Sequence, residues 1–339
     1  MKAYFHSQQN QHVPRSYLSR GQMRTPLEIP ARTEHILRGL DSLGHKVLEP
    51  GDHGTALINR VHDLTYLRFL ESAHRRWREV PEDWGDEVMS NVFVRSAGAP
   101  RGILAEAAWH LADGSCPVGE HTWSAAYWSA QTALSAADAL LAGEQTAYAV
   151  CRPPGHHARR DAAGGFCYLN NAAIAAAALQ ARFPRLAILD PDMHHGQGLQ
   201  EIFYERDDVL YVSIHGDPTN FYPVVTGHAD ERGRGAGEGY NINLPMPHGS
   251  SEQTFFERMD EALSAIALYQ PDAVILTLGF DIHEQDPQAK VAVSTSGFHR
   301  LGRLAGALGV PLLVVQEGGY YLEGLEENTR QFFSGLLAG

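Results

Sequence analysis

The chain has 339 residues, 44% hydrophobic and 20% charged, enough for one large α/β domain or two ordinary ones. A formal charge of −13, from 40 acidic and 27 basic residues, argues against nucleic acid as a main partner and suits the steering of a cationic substrate. No apolar run reaches the ~18 residues of a membrane span, the opening MKAYFHSQQNQH has no apolar secretory core, and three cysteines without a C-x-x-C pair fit a reduced, cytoplasmic setting.

In chain order, residues 12–32 (HVPRSYLSRGQMRTPLEIPAR) read as a long irregular segment, and residues 80–121 as a second. Insertions of that length in a compact domain are usually functional or interfacial. WSAAYWSAQTALSAADALLAG (123–143) predicts an Ala/Leu-rich helix stopped at Gly143. AYAVC (147–151) predicts a strand, NNAAIAAAALQARF (170–183) a helix, and LAILD (186–190) and VLYVSIH (209–215) two further strands. SEQTFFERMDEALSAIALY (251–269) predicts a helix, and AVILTLG (273–279) and PLLVVQ (311–316) the last strands. Short runs that are apolar throughout fit strands buried on both faces of a parallel sheet. The alternation predicts the α/β class: a single doubly wound domain over 1–339, with a central, mostly parallel sheet flanked by helices.

Ligands of such sheets bind beyond the carboxyl ends of the strands. There the sequence places RPPGHHARR, PDMHHGQG, GDPTNFYP, FDIHEQDP and EGGYY, drawing on several of the eighteen histidines. Asp192 and His194, two apart, face the same side of an extended chain, and Asp281 follows its strand directly. Three protein ligands with a position left open are the pattern of a catalytic divalent metal. Two oxygens and one nitrogen suit Zn²⁺, with Fe²⁺, Co²⁺ and Mn²⁺ left open. His156 and His157 follow a stiff Pro-Pro-Gly turn and can position a water and move its proton. Asp190 is a natural partner for one of them, favouring its protonated form. Gln197 can hold the other, leaving it nearer neutral and better suited as a base. Tyr320, after two glycines, can donate to a carbonyl oxygen as it becomes an oxyanion. Together these groups predict metal-assisted hydrolysis of an amide.

With these residues in place, the chain resembles the histone deacetylase and acetylpolyamine amidohydrolase family, of arginase–deacetylase fold. The matching pieces are RPPGHHA (152–158), GGFCYLNNAAIAA (164–176), ILDPDMHHGQG (188–198), SIHGDP (213–218), GRGAGEGYNINLP (233–245), LGFDIHEQDP (278–287) and EGGY (317–320), in the family's order over most of the chain. The resemblance implies zinc on Asp192, His194 and Asp281, a dyad of His156 and His157, Asp190 bonded to the first of these, and Tyr320 on the transition state. It also implies a structural K⁺ held by the Asp190 and Ser213 side chains and by the carbonyls of Asp192, His194 and Ile214. Phe166 and Tyr222 match the two walls of a narrow acyl-lysine channel, with the Gly165 carbonyl facing the scissile amide N–H.

The segment containing PLEIPARTEHIL (26–37), together with WSAA and GEHTW, is similar to bacterial acetylpolyamine amidohydrolases. In those enzymes the N-terminal loop helps build a dimer and narrows the channel. This implies a homodimer acting on a slim, cationic acetylated amine, with no nucleic-acid or membrane partner. The alternative is acetyllysine in peptides or proteins, or another acylated small amine. Glu106, with Asp113 and Glu120 beside it in the second irregular segment, is expected to supply an acid for the substrate's ammonium. The chain departs from the family at Gln197, where relatives carry Asp or Asn, and at Pro191, which replaces an aliphatic residue. His283 is expected at the pocket rim. A binuclear Mn hydrolase would need further bridging ligands, and a binding protein that had lost catalysis would lack a ligand, a dyad histidine or the tyrosine. The glycine run at 233–239 precedes YNINLP rather than a helix, so it is no dinucleotide fingerprint.

Overall fold

Apolar residues on both faces of each strand need a core on each side, and the chain supplies two. In Leu186–Asp190, Leu186 and Ile188 enter one core while Ala187 and Leu189 enter the other. The computed structural model describes residues 1–94 and 98–338. Residues 95–97 of the 80–121 segment, and Gly339 at the end of the expected 1–339 domain, lie outside the described residues. The main sheet has eight strands: β1 (Lys2–Tyr4), β2 (Val47–Leu48), β3 (Thr146–Ala149), β4 (Leu186–Asp190), β5 (Val209–Gly216), β6 (Asn241–Met246), β7 (Ala273–Leu278) and β8 (Leu312–Gln316). Their spatial order is β2-β1-β3-β8-β7-β4-β5-β6, and every pairing is parallel. Helices Leu64–Arg78, Thr122–Leu141 and Asn171–Leu179 cover one face. Helices Ala31–Asp41, Glu252–Tyr269, Thr295–Gly306 and Leu322–Ala338 cover the other. Because β3, β8, β7, β4 and β5 are adjacent and parallel, the five polar strand ends share one edge of the sheet.

The two irregular segments are irregular only in part. Within 12–32, Tyr17–Ser19 and Gln22–Arg24 form an antiparallel hairpin. Arg20 (φ 51°) and Gly21 (φ 74°) turn it in the left-handed region, the requirement of a tight two-residue hairpin loop. Within 80–121 the structure adds the helix Ile103–His110, two turns long and too short for its apolar period to stand out in the sequence.

Several histidines are buried in the neutral form. Burial, above all, pushes His12, His62 and His215 down to about 4. The His62 ring accepts the Asn170 N–H (2.9 Å), and His215 lies between the Ser213 hydroxyl and the Gly227 carbonyl (2.8 Å each). A histidine depressed in the fold and ordinary in the unfolded chain contributes stability above pH 6.5 that is lost as pH falls toward 4. The size is about 1.4 kcal/mol per histidine and pH unit. Glu317, pushed up to about 7, Asp281, also raised, and His156 and His194, pushed up against burial to about 10 and 9 by their aspartates, oppose this. Burial lowers His157 and His195 as well, so five lowered histidines stand against four raised groups. The urea midpoint is therefore expected to fall between pH 7 and pH 5; a midpoint that stays level would contradict it.

Candidate active site

The β4–β5 ladder ends at Asp190 opposite Ser213, so Pro191, just beyond, has no ladder donor to lose. The next residues fold back: Asp192 Oδ1 accepts the His194 N–H (3.0 Å) and Asp192 Oδ2 the Gly318 N–H (3.0 Å) from the end of β8. Asp281, at the end of β7, accepts the Met193 N–H through Oδ1 (3.0 Å) and lies 3.0 Å from His194 Nδ1 through Oδ2. One ligand atom from each of Asp192, His194 and Asp281 lies within 4.8 Å of the others. A side chain at Gly279 would intrude here, its Cβ 2.2 Å from Asp192 Oδ2. Asp192 and Asp281 are buried, and among the described residues their ion pairs are with imidazoles alone. Burial first, then the charge of Asp192, pushes Asp281 up, the mark of two carboxylates that call for a cation. The donor set fits a divalent metal ion.

The dyad rings lie 3.9 Å apart between centroids and have opposite surroundings. His156 Nδ1 lies 3.1 Å from Asp190 Oδ2, which also accepts the Tyr211 hydroxyl (2.8 Å). Burial works against a charged His156, but Asp192 and Asp190 override it and push the ring up to about 10. His157 Nδ1 lies 2.5 Å from Gln197 Oε1. Burial, then the positive charges of His156 and His194, pushes His157 well below its ordinary value. One ring therefore holds a proton while the other keeps a lone pair, the division acid–base work needs.

Three supporting residues escaped the sequence reading. Glu317 Oε2 accepts the N–H of Gly155 (2.6 Å) and of His156 (3.0 Å), fixing the dyad turn. Asp286 Oδ2 accepts the N–H of Tyr320 (2.6 Å) and of Tyr321 (2.9 Å). Arg32 donates to the carbonyls of Gly319 and Glu317 (2.6 Å each), and its guanidinium sits 4.8 Å from the Tyr320 ring centroid. Glu317, Asp286 and Arg32 lay inside pieces already singled out, EGGY, LGFDIHEQDP and PLEIPARTEHIL, without being given a role.

Phe166 (φ 68°) meets Tyr320 edge-on at 5.9 Å and Tyr17 of the hairpin at 5.1 Å, while Tyr222 meets His157 at 4.9 Å. Gly165 (φ 56°) lies against the dyad, where a Cβ would stand 2.3 Å from His157 Cδ2. Ser213 and Ile214 lie on β5 beside Asp190. Two expectations are corrected. Glu106 is held bidentately by Arg76 (2.5 and 2.6 Å), so its charge is already committed. His283 is not at a rim: it is 3% exposed, stacked between Tyr321 and Phe298. Of the other acids, Glu120 lines a separate hollow of about 500 Å³ beside residues 11–15, and only Asp113 contacts the site, through Tyr222 and Gly165.

Two carboxylates and an imidazole converging beside a divided histidine pair, at the strand ends of a parallel sheet, define a metal-dependent amide hydrolase. Residues 26–336 match the family described as histone deacetylase domain. The chain belongs to the histone deacetylase family and is a hydrolase of linear amide bonds. It is 65% identical over 338 residues to the acetylpolyamine amidohydrolase of Burkholderia pseudomallei (strain 1710b), covering 100% of this chain and 99% of that one. It is 38% identical over 320 residues to the acetylpolyamine amidohydrolase of Mycoplana ramosa, covering 93% and 94%. A crystal structure of acetylpolyamine aminohydrolase from Burkholderia pseudomallei, from an iodide soak, superposes with a TM-score of 0.99 at 64% identity, covering 100% and 99%. The HDA15 HD domain superposes with a TM-score of 0.80 at 27% identity, covering 99% and 89%.

Proposed function

We propose that this protein removes acetyl groups from acetylated polyamines. Likeness to acetylpolyamine amidohydrolases over the whole chain, N-terminal segment included, carries the reading. That segment is wired into the site: Arg32 grips the Tyr320 turn and Tyr17 backs Phe166. Asp192, His194 and Asp281 would hold Zn²⁺, and Fe²⁺ or Co²⁺ meets the same donor set. When bound, the ion lowers the pKa of water and polarises the substrate carbonyl. His157 Nε2 takes the water's proton, and His156, charged beside Asp190, donates to the leaving amine. The Tyr320 hydroxyl donates to the developing oxyanion. Phe166 and Tyr222 flank the substrate's methylene chain, and the Gly165 carbonyl accepts the scissile N–H. A K⁺ on Asp190, Asp192, His194, Ser213 and Ile214 braces the same strand ends.

The enzyme acts in the cytoplasm as a homodimer. Three buried free cysteines support the compartment, and exposed Val13 and Met23 in the N-terminal segment support the dimer. No helix among the described residues is long and apolar enough to cross a membrane, and the acidic charge gives nucleic acid no purchase. The test compares kcat/KM of the zinc-loaded enzyme on N-acetylputrescine and acetylspermidine with an acetyllysine peptide. The expected preference for the polyamines is about a hundredfold, about 2.7 kcal/mol. A preference for the peptide would replace this reading with a lysine deacetylase.

A further inference from the structure

A line of hydrogen bonds leaves the dyad from His157 Nδ1. His157 Nδ1 meets Gln197 Oε1 (2.5 Å), Gln197 Nε2 meets the Tyr222 hydroxyl (2.9 Å), and that hydroxyl meets Asp113 Oδ2 (2.6 Å). The direction of the line is set at its far end. A carboxylate only accepts. Asp113 already accepts the Ser115 N–H (2.7 Å) and hydroxyl on Oδ1, and the Gly165 N–H (3.1 Å) on Oδ2. Tyr222 must therefore give its single proton to Asp113, which leaves its oxygen as an acceptor. Only the NH₂ end of Gln197 can face that oxygen, so the carbonyl end faces His157. Nδ1 then carries the hydrogen and Nε2 the lone pair.

We infer that Asp113 is a positioning residue that fixes His157 in its Nδ1–H tautomer through Tyr222 and Gln197. The inference rests on the deacetylase reading for its consequence in turnover, though not for the tautomer itself. It explains why this chain tolerates Gln197. An aspartate there would fix the tautomer unaided, whereas a glutamine can present either end and needs its sense imposed. Reversing the line in the native protein would set the Tyr222 oxygen and Asp113, both acceptors, 2.6 Å apart with no proton between them. Asparagine at 113 removes that penalty. With its oxygen kept on the two Ser115 donors, its NH₂ gives up the Gly165 bond and can donate to Tyr222, Tyr222 to Gln197, and Gln197 to His157, leaving Nε2–H where a base is needed. The other groups facing His157, namely His156, His194 and Asp192, are untouched by the change.

The test is a mutant cycle read by kinetics and by ¹⁵N NMR of the His157 ring in the full-length zinc enzyme. Asp113→Asn is expected to lower kcat by at least about tenfold, since a catalytic histidine in the wrong tautomer can lose up to about 10⁴, and to invert the Nδ1/Nε2 shifts. In a Gln197→Glu background a carboxylate faces His157 directly, so the same change is expected to cost less than about twofold. Tyr222→Phe leaves Asp113 in place and cuts the line, and is expected to give mixed tautomers and a loss in kcat. Equal losses from Asp113→Asn in both backgrounds, a loss confined to KM, or a native tautomer in either single variant would overturn the inference. A wild-type enzyme inactive on every acetylated amine would sink the deacetylase reading instead, and the ring spectra would then decide the tautomer alone.

Discussion

Replacing Glu28 by alanine is expected to lower the unfolding free energy by about 3–5 kcal/mol, against the roughly 5–15 kcal/mol that holds an ordinary domain together. Glu28 is 2% exposed and lies between two arginines at least as buried, Arg32 (1%) and Arg152 (0%). Its Oε1 is 2.9 Å from Arg32 Nη1 and 2.9 Å from Arg152 Nε. Burial alone would raise the carboxyl, yet Arg152 and Arg32, with His12 beyond them, hold it below its ordinary value. Without it, two guanidiniums stay out of water with their shared ion-pair partner gone and the more distant Asp286 left facing Arg32, the costly way to break a buried ion pair. Their remaining bonds fix what moves next: Arg152 donates to the carbonyls of Gln9 (2.7 Å) and His12 (2.6 Å), and Arg32 to those of Gly319 and Glu317. Activity is therefore expected to fall with stability, because the same arginines join residues 9–32 to the dyad turn and the tyrosine turn. Urea denaturation checks the energy, and a loss below about 1 kcal/mol would show that water or a rearranged neighbour replaces the carboxylate.

That network also marks where the sequence stops being legible. The five central strands could be read because Leu186–Asp190 and its neighbours are apolar on both faces, and the site could be read because its groups sit at their ends. β6 was hidden for the opposite reason: in Asn241–Met246 the inward residues include Asn241 and Asn243, so polar side chains occupy the positions where hydrophobic alternation is sought. β1 and β2 are three and two residues long, too short for any period. Glu28, Arg32 and Arg152 lay inside quoted pieces, PLEIPARTEHIL and RPPGHHA, without being given a role, since lysine, arginine and glutamate almost never lie fully buried unless paired. Glu28 and Arg32 stand only four apart, but Arg152 reaches Glu28 across 124 residues, a contact that composition and periodicity do not carry. Glu106 erred the same way in reverse: an acid in a suitable loop looked free until folding brought Arg76 to it.

Tyr320→Phe is expected to lower kcat by about 10²–10³ with KM little changed, because the lost bond forms only as the carbonyl oxygen becomes an anion. The phenol is well prepared for that one role. Burial, opposed by Arg32 and reinforced by Asp281 and Asp192, pushes its pKa well above 10. It therefore stays protonated across the working range and serves as a donor, never as a base. Its backbone is held from three sides: Asp286 takes its N–H, Arg32 takes the preceding carbonyl, and Gly319 (φ 120°) passes so close to Phe280 that a Cβ would stand 2.6 Å from that side chain's own Cβ. Arg32 also lies over the ring face, where a cation is attracted to the aromatic quadrupole. Phenylalanine keeps every one of these restraints and removes only the hydroxyl, so the variant isolates the bond to the oxyanion from the shape of the turn. A fall in kcat below about fivefold, or a rise in KM of the same size as the fall in kcat/KM, would mean that Tyr320 packs the channel without touching the transition state, and that another donor must be sought among the groups that Asp286 and Arg32 hold in place.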